Sequence, residues 1–388
     1  MSGETPTTVD DVDIGSPPAV SDPEPMHSRR REFLVVVSLY VASIVFALVI
    51  SAVLVAATGG SWRAVFSAML DGSLRAPGRW GTTIGVAIPL LVVALGTTIS
   101  GRAGLVNIGQ EGQVLIGAAF AAYIGVRVGG PGPIVLLCLL VGGAIGGAIW
   151  SGIAGALRYW RGVPEVLTTL LLVTVAFQAT GYGLKNEDLL LAPFRGDRSV
   201  RNPVSEQLSE TERIPRINIF GNEFPISAFA AVLMAFALVF LFRRTLWGFR
   251  LRMFGQNART ARRAGVSNVK YGMGAMLLSG GCAGLAGGMM LSGGDFGDYK
   301  FTPGLSNGIG WDGLLVALVA RERPVLIIPM AFGFAGLRTG SGFLAATGVE
   351  RQISSVVQAL LVLALLIPPA ILFIRSRRRA LAATRART

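Results

Sequence analysis

The stretch Gly101–Gln113, GRAGLVNIGQEGQ, decides how the rest of the chain is interpreted. It lies between two apolar runs, Thr82–Ser100 and Val114–Ile124, which leave no room for a water-exposed domain. Four hydrogen-bonding side chains, interrupted by glycines, crowd into seven of its residues: Asn107, Gln110, Glu111 and Gln113. A carboxylate near the bilayer centre costs about 2.5–3.5 kcal/mol, and unwound backbone is tolerated there only where it is buried in protein or lines a cavity. The stretch therefore predicts part of a polar solute's path across a membrane. A second interpretation leaves Glu111 solvated at the cytosolic mouth of a tight turn.

The composition is that of an integral membrane protein. Of the 388 residues, 52% are hydrophobic and 15% are charged, whereas soluble domains carry about 25% charged residues. The formal charge is +13, but Lys and Arg cluster beside apolar runs, which is typical of membrane orientation and not of a nucleic-acid-binding face. Cys138 and Cys282 lie in apolar runs, so neither a disulfide framework nor a metal site is expected. The single histidine, His27, excludes a histidine-based metal centre or catalytic triad.

The two ends of the chain differ from its middle. Residues 1–28 contain six acidic residues, five prolines and no Lys or Arg, so they cannot bury a core. We therefore expect a disordered cytosolic tail over residues 1–32 and a transmembrane domain over residues 33–374. A basic cytosolic tail is expected over residues 375–388.

Ten apolar runs predict ten transmembrane helices, since about 20 residues span a ~30 Å hydrocarbon core. They are Phe33–Ala57, Thr82–Ser100, Leu105–Val126, Pro133–Leu157, Val166–Leu184, Ile226–Phe242, Tyr271–Ser292, Ile309–Ala320, Pro324–Thr339 and Gln352–Ile374. Ile309–Ala320 is short, which indicates a broken helix or a misplaced start. Most of the 35 Lys and Arg fall on the side of the amino terminus, so both termini are predicted in the cytosol.

Two connecting segments are long enough to carry a function. Residues 185–225 form the predicted extracytosolic loop, which is either a small cap available to a partner or a solvated connector. Residues 243–270 form the predicted cytosolic loop. In it Asn257 is a good N-cap, residues 258–264 favour a helix and Gly265 suits the position after its end.

This short cytosolic helix presents a basic face. Arg259, Arg262 and Arg263 follow the i, i+3, i+4 spacing and so share one side. We expect the helix to dock into a partner, because orientation in the membrane does not require a capped helix. The alternative is that these arginines only set orientation and contact anionic lipid headgroups.

A weak internal repeat links the two halves of the chain. Residues 108–112 and 309–313 share the pattern I-G-x-acid-G, and each copy begins or interrupts a glycine-rich run. Paired interrupted segments of this kind point to the binding site of repeat-built transporters. The match can also arise by chance, and Asp312 can act as a helix N-cap.

Four motifs in order give the chain a family resemblance. They are RAGLVNIGQEGQ (102–113), PEVLTTLLL (164–172), GQNARTARRAGVS (255–267) and GIGWDGLLVALVAR (308–321). The chain resembles the permease subunits of bacterial ABC importers, in the branched-chain amino acid, monosaccharide and nucleoside permease family. It looks most like the nucleoside-type permeases, mainly through the NIGQEGQ stretch, where the sugar permeases of the family usually show a GGIDLS-like segment that this chain lacks. The likeness covers about residues 33–374; the acidic amino-terminal tail and the VARERP sequence depart from it.

The resemblance implies a fold and a set of partners. The fold would be an all-α, type II-like importer bundle of about ten transmembrane helices with two pseudo-related halves. The partners would be a second permease, related or identical, a cytosolic ABC ATPase and an extracytosolic substrate-binding lipoprotein, besides membrane lipid. The segment Asn257–Gly265 would be the element that couples to the ATPase. The chain has no GxxxxGK[ST] motif, so ATP and Mg²⁺ would bind to the ATPase subunit and no cofactor to this chain.

The predicted activity is import of a polar solute, a nucleoside by resemblance, across the bacterial inner membrane. The predicted path residues are Asn107, Gln110, Glu111, Gln113, Thr168, Thr169, Trp311 and Asp312. Amides and a carboxylate can bond ribose hydroxyls and base edges, whereas threonines in membrane helices more often bond their own backbone. Alternatives are a sugar (ribose-like) or branched-chain amino acid permease, an ion-coupled transporter, a membrane enzyme and a passive channel. Too few ionisable groups lie within the spans for a proton or sodium relay.

Overall fold

The structure is a computed structural model that describes residues 26–57, 61–193, 203–343 and scattered positions between 356 and 375. The helices are α1 (Met26–Ala57), α2 (Trp62–Leu70), α3 (Arg79–Arg102), α4 (Gln110–Arg127), α5 (Gly132–Arg161), α6 (Glu165–Gly183), α7 (Ser227–Arg244), α8 (Leu246–Gln256), α9 (Ala258–Arg263), α10 (Asn268–Gly293), α11 (Ile309–Val319) and α12 (Pro324–Gly342). A π-helical turn, Asp71–Arg75, follows α2, and a 3₁₀ turn, Glu210–Glu212, precedes an antiparallel hairpin of β1 (Arg216–Ile219) and β2 (Asn222–Pro225).

Six of these helices are long and apolar enough to cross a membrane: α3, α5, α6, α7, α10 and α12. Helix α4, whose first turn is polar, falls outside this group, and α11 has only 11 residues. Helix α1 contains the predicted first span, Phe33–Ala57. Of the tenth predicted span, Gln352–Ile374, scattered positions are described and these are helical. The prediction of ten spans in two related halves therefore stays a prediction.

Several predicted boundaries were wrong. Helix α4 begins at Gln110, not at Leu105, because residues 105–108 are extended and bond to α6. Helix α1 begins at Met26, inside the predicted tail 1–32; residues 1–25 and 376–388 lie outside the described residues.

The connecting segments also contain elements that the apolar pattern did not predict. These are α2, α8 and the β-hairpin, so the chain is not entirely α-helical. The cause is that α2 and α8 are short and amphipathic, so no long apolar run marks them.

Helices α4, α5 and α10 form the centre of the bundle, packed through glycines. An added Cβ at Gly284 on α10 would overlap the backbone of Gly143 on α5, and one at Gly117 on α4 would overlap Gly284 itself. Gly147 on α5 is equally close to Gly280. Small residues let membrane helices approach until their backbones touch, which gives dispersion contacts that lipid cannot replace.

The two ends of the bundle differ in chemistry. At one end, called here the basic end, α3 finishes at Arg102, whose guanidinium bonds the carbonyl of Glu322 between α11 and α12. The C-terminal end of α8 also lies at the basic end, since Gly255 contacts the backbone of Arg102 and of Gly104. Gly104 has φ +68°, a conformation that favours glycine, and it turns the chain back into the bundle.

The opposite end, called here the hairpin end, is covered by residues 203–226. The amide of Ile214 donates to the carbonyl of Ser292 at the end of α10, and Arg216 forms a 2.8 Å ion pair with Asp295. Burial raises the pKa of Asp295, against the opposing effect of the Arg216 guanidinium. This part of the predicted extracytosolic loop is therefore packed onto the bundle, as the cap interpretation requires.

Candidate functional site: a polar break at the centre of the bundle

The extended segment 105–108 enters the bundle from the basic end and is held by one face of α6. The amide of Val106 donates to Glu165 Oε1 (3.3 Å), and that of Ile108 donates to Thr169 Oγ1 (3.3 Å). Two residues of extended chain cover nearly 7 Å, which matches the i, i+4 repeat of a helix. Glu165 also forms an ion pair with Arg158 of α5. Backbone polar groups that no helix satisfies are therefore satisfied by side chains, as burial in a membrane protein requires.

The amides that follow this segment form one buried network. Asn107 and Gln113 bond reciprocally: Asn107 Nδ2 donates to Gln113 Oε1 (3.0 Å), and Gln113 Nε2 donates to Asn107 Oδ1 (2.9 Å). Asn107 Nδ2 (3.0 Å) and Gln110 Nε2 (2.9 Å) both donate to the hydroxyl of Ser279 on α10. The three amide side chains are each at most 2% exposed. Gln110 Oε1 is buried with no hydrogen-bond partner among the described residues, so one acceptor of the network is left over.

Glu111 joins the start of α4 to the start of α11. Its carboxylate accepts hydrogen bonds from Ser306 Oγ (2.6 Å), from the amide of Gly308 (2.9 Å) and from the amide of Gly310 (2.7 Å). The N-terminus of a helix offers unpaired N–H groups and a partial positive charge, which suits a carboxylate. Glu111 is 2% exposed, so the interpretation that it is solvated at a membrane surface was wrong.

The two I-G-x-acid-G segments touch at this point. An added Cβ at Gly310 would overlap the backbone of Glu111, so only glycine allows the approach. The two acidic residues nevertheless differ in their contacts, because Asp312 bonds α12 and not α4. The role of Asp312 as an N-cap was wrong: α11 begins at Ile309 with Gly308 as its N-cap.

Asp312 forms an ion pair with Arg338 on α12. Arg338 Nη1 lies 2.7 Å from Asp312 Oδ2, and Arg338 Nη2 donates to the carbonyl of Asn307. The side chains of Arg338 and Asp312 are 16% and 20% exposed, whereas the amide network is closed off from the surface. Trp311, which precedes Asp312 in α11, is also partly exposed.

The predicted path residues therefore fall into two groups. Asn107, Gln110, Glu111, Gln113 and Thr169 are buried where the extended segment, α4, α6 and α11 meet, and Trp311 and Asp312 reach a partly open face. Thr168 stands apart, because its hydroxyl bonds the carbonyls of Pro164 and Glu165 on its own helix. This is the behaviour that membrane threonines usually show.

The sequence prediction missed four residues that hold this region together: Glu165, Ser279, Ser306 and Arg338. Glu165 lies in the PEVLTTLLL motif, four residues before Thr169, which was a usable signal. Arg338 was also visible as a single basic residue inside an apolar run. Ser279 and Ser306 have no distinguishing neighbours, and only the tertiary contacts identify them.

The predicted helix at the basic end is confirmed in its geometry. Asn257 Oδ1 accepts from the amides of Arg259 (3.0 Å) and Thr260 (3.1 Å), and Gly265 has φ +78° after the end of α9. The three predicted arginines, Arg259, Arg262 and Arg263, are exposed, while Ala261 is buried against the bundle. The helix thus offers a basic face outward.

Comparison with known proteins gives the family. A family described as "Branched-chain amino acid transport system / permease component" matches residues 81–366. The guanosine ABC transporter permease protein NupP of Bacillus subtilis (strain 168) is 30% identical over 326 residues, covering 83% of this chain and 90% of NupP. The glucose ABC transporter permease protein TsgB13 of Haloferax volcanii is 31% identical over 290 residues, covering 72% of this chain and 74% of TsgB13.

The nucleoside ABC transporter permease protein NupB of Lactococcus lactis subsp. cremoris (strain MG1363) is 25% identical over 348 residues, covering 87% of this chain and 91% of NupB. No solved structure gives a significant match. The resemblance drawn from the four motifs, including the likeness to nucleoside-type permeases, is confirmed. Such permeases are transport subunits and not enzymes, and they work with an ATPase and a substrate-binding partner. The chain belongs to this family of multi-pass membrane proteins and is the permease subunit of an ABC importer.

Proposed function

We propose that this permease imports a nucleoside across the bacterial inner membrane, with the basic end and both termini in the cytosol. The proposed substrate rests on one observation: NupP and NupB, named for guanosine and nucleosides, match this chain over 90% and 91% of their lengths. The orientation rests on the positive charge of the basic end, where Arg102 and the arginines of α9 lie.

The proposed assembly contains four kinds of subunit. This chain pairs with a second permease, and an ATPase binds ATP and Mg²⁺ in the cytosol. An extracytosolic lipoprotein delivers the solute to the hairpin end. The basic face of α9 docks into the ATPase, because its arginines project away from the bundle while Ala261 anchors the helix. The alternative, contact with anionic lipid, needs no capped helix.

The proposed path passes the polar break. Trp311 and Asp312 contact the solute directly, since they are partly exposed. Asn107, Gln110, Glu111, Gln113 and Thr169 lie behind them and set the position of α11; Thr168 supports α6. The acceptor left over at Gln110 Oε1 is available to a solute or water when α11 moves. A helix start held by side-chain hydrogen bonds is easier to reposition than a continuous helix, which suits a subunit that must open to either side.

Radiolabelled uptake tests the proposal in cells that lack this gene. The deletion is complemented with the wild type, with the double variant Arg262→Ala/Arg263→Ala and with Arg321→Ala, an exposed basic residue outside α9, as the control. We expect guanosine uptake to return with the wild type and the control, and not with the double variant. Uptake that survives ATP depletion but stops when the ion gradient collapses would contradict an ABC mechanism.

A sugar is the second candidate, because TsgB13, named for glucose, is 31% identical to this chain. The same cells distinguish the two. Restored glucose or ribose uptake without nucleoside uptake would replace the proposed solute and leave the permease assignment intact. Branched-chain amino acids serve as a third labelled solute in the same assay.

A further inference from the structure

The ion pair between Asp312 and Arg338 lies near the centre of the membrane-spanning bundle. Helix α12 begins at Pro324 at the basic end, so a rise of 1.5 Å per residue places the Arg338 backbone about 21 Å from that end. Helix α11 finishes at the same end, and Asp312 lies seven residues before its last residue, about 10 Å away. Helical side chains lean toward the start of their own helix, so Arg338 leans toward the basic end and Asp312 away from it. They meet near the middle of a ~30 Å core.

Three other ion pairs of the described chain lie at the ends of the bundle. Arg102 pairs with Glu322 and Arg158 with Glu165 at the basic end, and Arg216 pairs with Asp295 at the hairpin end. At those places water and lipid headgroups can solvate a charge. The central pair has no such surroundings unless water or protein covers the face that α11 and α12 present.

Lipid cannot be what covers the exposed part of this pair. Charged side chains at the centre of a bilayer face the bundle interior or a water-filled cavity, because hydrocarbon does not solvate them. Both side chains are partly exposed in the single chain, so the bundle interior alone does not enclose them. The face of α11 and α12 around the pair is therefore covered by water or by the second permease, and a solute path that runs between two permeases brings water to this face.

The pair has hydrogen-bonding capacity to spare. Asp312 Oδ2 accepts from Arg338, whereas Asp312 Oδ1 has no hydrogen bond among the described residues. The two terminal nitrogens of Arg338 carry four N–H groups, and one bond from each nitrogen is used inside the protein. A carboxylate oxygen and a planar cation together suit a flat solute with neighbouring donors and acceptors.

We infer that Arg338 and Asp312 bind the base of the imported nucleoside, and that they favour guanine. This inference rests on the proposed function and adds Arg338 to its path. A carboxylate accepts from the neighbouring N1–H and exocyclic amino groups of guanine, and an arginine donates to O6 and N7. Inosine lacks that amino group, so it loses one hydrogen bond to Asp312.

Transport kinetics of the complete importer in proteoliposomes test the inference. Labelled guanosine and inosine are compared for the wild type, Asp312→Asn and Arg338→Lys. We expect the KM of the wild type to be about tenfold lower for guanosine than for inosine, the difference that one additional hydrogen bond makes. Asp312→Asn should reduce this preference to about twofold or less. Arg338→Lys keeps the charge but loses the planar fork, and should raise KM for both solutes. Glu322→Gln breaks an ion pair at the basic end and should leave the preference unchanged.

An equal loss of transport for both solutes in Asp312→Asn, with the tenfold preference kept, would overturn the inference and leave the pair a structural contact. A wild type that does not distinguish the two solutes would overturn it as well. A wild type that imports neither solute would contradict the proposed function itself, and the position of the path is then decided by chemical labelling.

Labelling uses the assembled importer with Cys138 and Cys282 replaced by alanine. A membrane-impermeant thiol reagent should modify Trp311→Cys if this face borders water. Arg321→Cys, at an exposed position outside α9, must react and Ser279→Cys in the buried network must not. No reaction at position 311 would overturn the aqueous face, whichever solute is carried.

Discussion

Removing the Glu111 carboxylate should destabilise the fold more than any other single polar change at the bundle centre. In Glu111→Ala the amides of Gly308 and Gly310 lose their acceptor, and an unpaired buried donor costs about 1–3 kcal/mol. The expected loss in the free energy of unfolding is therefore about 2–6 kcal/mol, since Ser306 can turn its hydroxyl elsewhere. Glu111→Gln keeps one acceptor oxygen and sets an amide N–H₂ against a donor, so we expect a loss of about 1–3 kcal/mol.

The measurement is unfolding of the purified permease by SDS titration in mixed micelles, followed by tryptophan fluorescence. Glu210→Ala is the matched control, because Glu210 is an exposed glutamate in the 3₁₀ turn at the hairpin end. The free energy of unfolding of Glu210→Ala should lie within about 0.5 kcal/mol of the wild-type value, as for surface substitutions generally. If Glu111→Ala were no less stable than Glu210→Ala, the carboxylate would not be what joins α4 to α11.

Three further outcomes are expected. Gly284→Leu should destabilise the fold by at least about 1–3 kcal/mol in the same titration, because an added Cβ overlaps the backbone of α5. Gly274→Ala is the control: it has open space around it and should be neutral or stabilising by up to about 1 kcal/mol. Asn257→Ala should loosen α9, because loss of an N-cap costs about 1 kcal/mol, and so lower solute-stimulated ATP hydrolysis by the assembled importer. Asn257→Asp should retain this hydrolysis, because Asp also caps a helix. Equal ATP hydrolysis by the two variants would contradict a role for the cap. Burial raises the pKa of Asp295, so the folded state binds its proton more tightly than the unfolded state, and stability should fall as pH rises from the unfolded pKa through the raised folded value. Unfolding midpoints measured from about pH 4 upward should show this slope in the wild type and a smaller slope in Asp295→Asn, where Glu322, whose pKa burial also raises, still contributes.

The apolar pattern was sufficient to place the long helices. Runs of about 20 apolar residues gave α3, α5, α6, α7, α10 and α12 to within a few residues, because burial in hydrocarbon constrains composition strongly. The capped α9 was also predictable, since Asn257 and Gly265 act through local backbone geometry.

The break before α4 could be located but not described from the sequence. Its residues form an extended segment because Glu165 and Thr169, about 60 positions away, accept its amides. Local propensity contains no information on such a partner. The pairing of Arg338 could not be predicted for the same reason: the charge itself is visible in the apolar run, but its partner Asp312 lies on another helix.

The contact between Gly104 and Gly255 joins α8, at the basic end, directly to the segment that leads into the bundle centre. Here two backbones touch without an intervening side chain that could rotate and absorb a displacement. Gly255 ends α8 just before α9, and Gly104 directly precedes the extended segment that leads to Glu111 and, through it, to α11. In the proposed assembly, a push of the ATPase on α9 would reach the residue that fixes α11 over seven residues of chain, without a long-range rearrangement of the bundle.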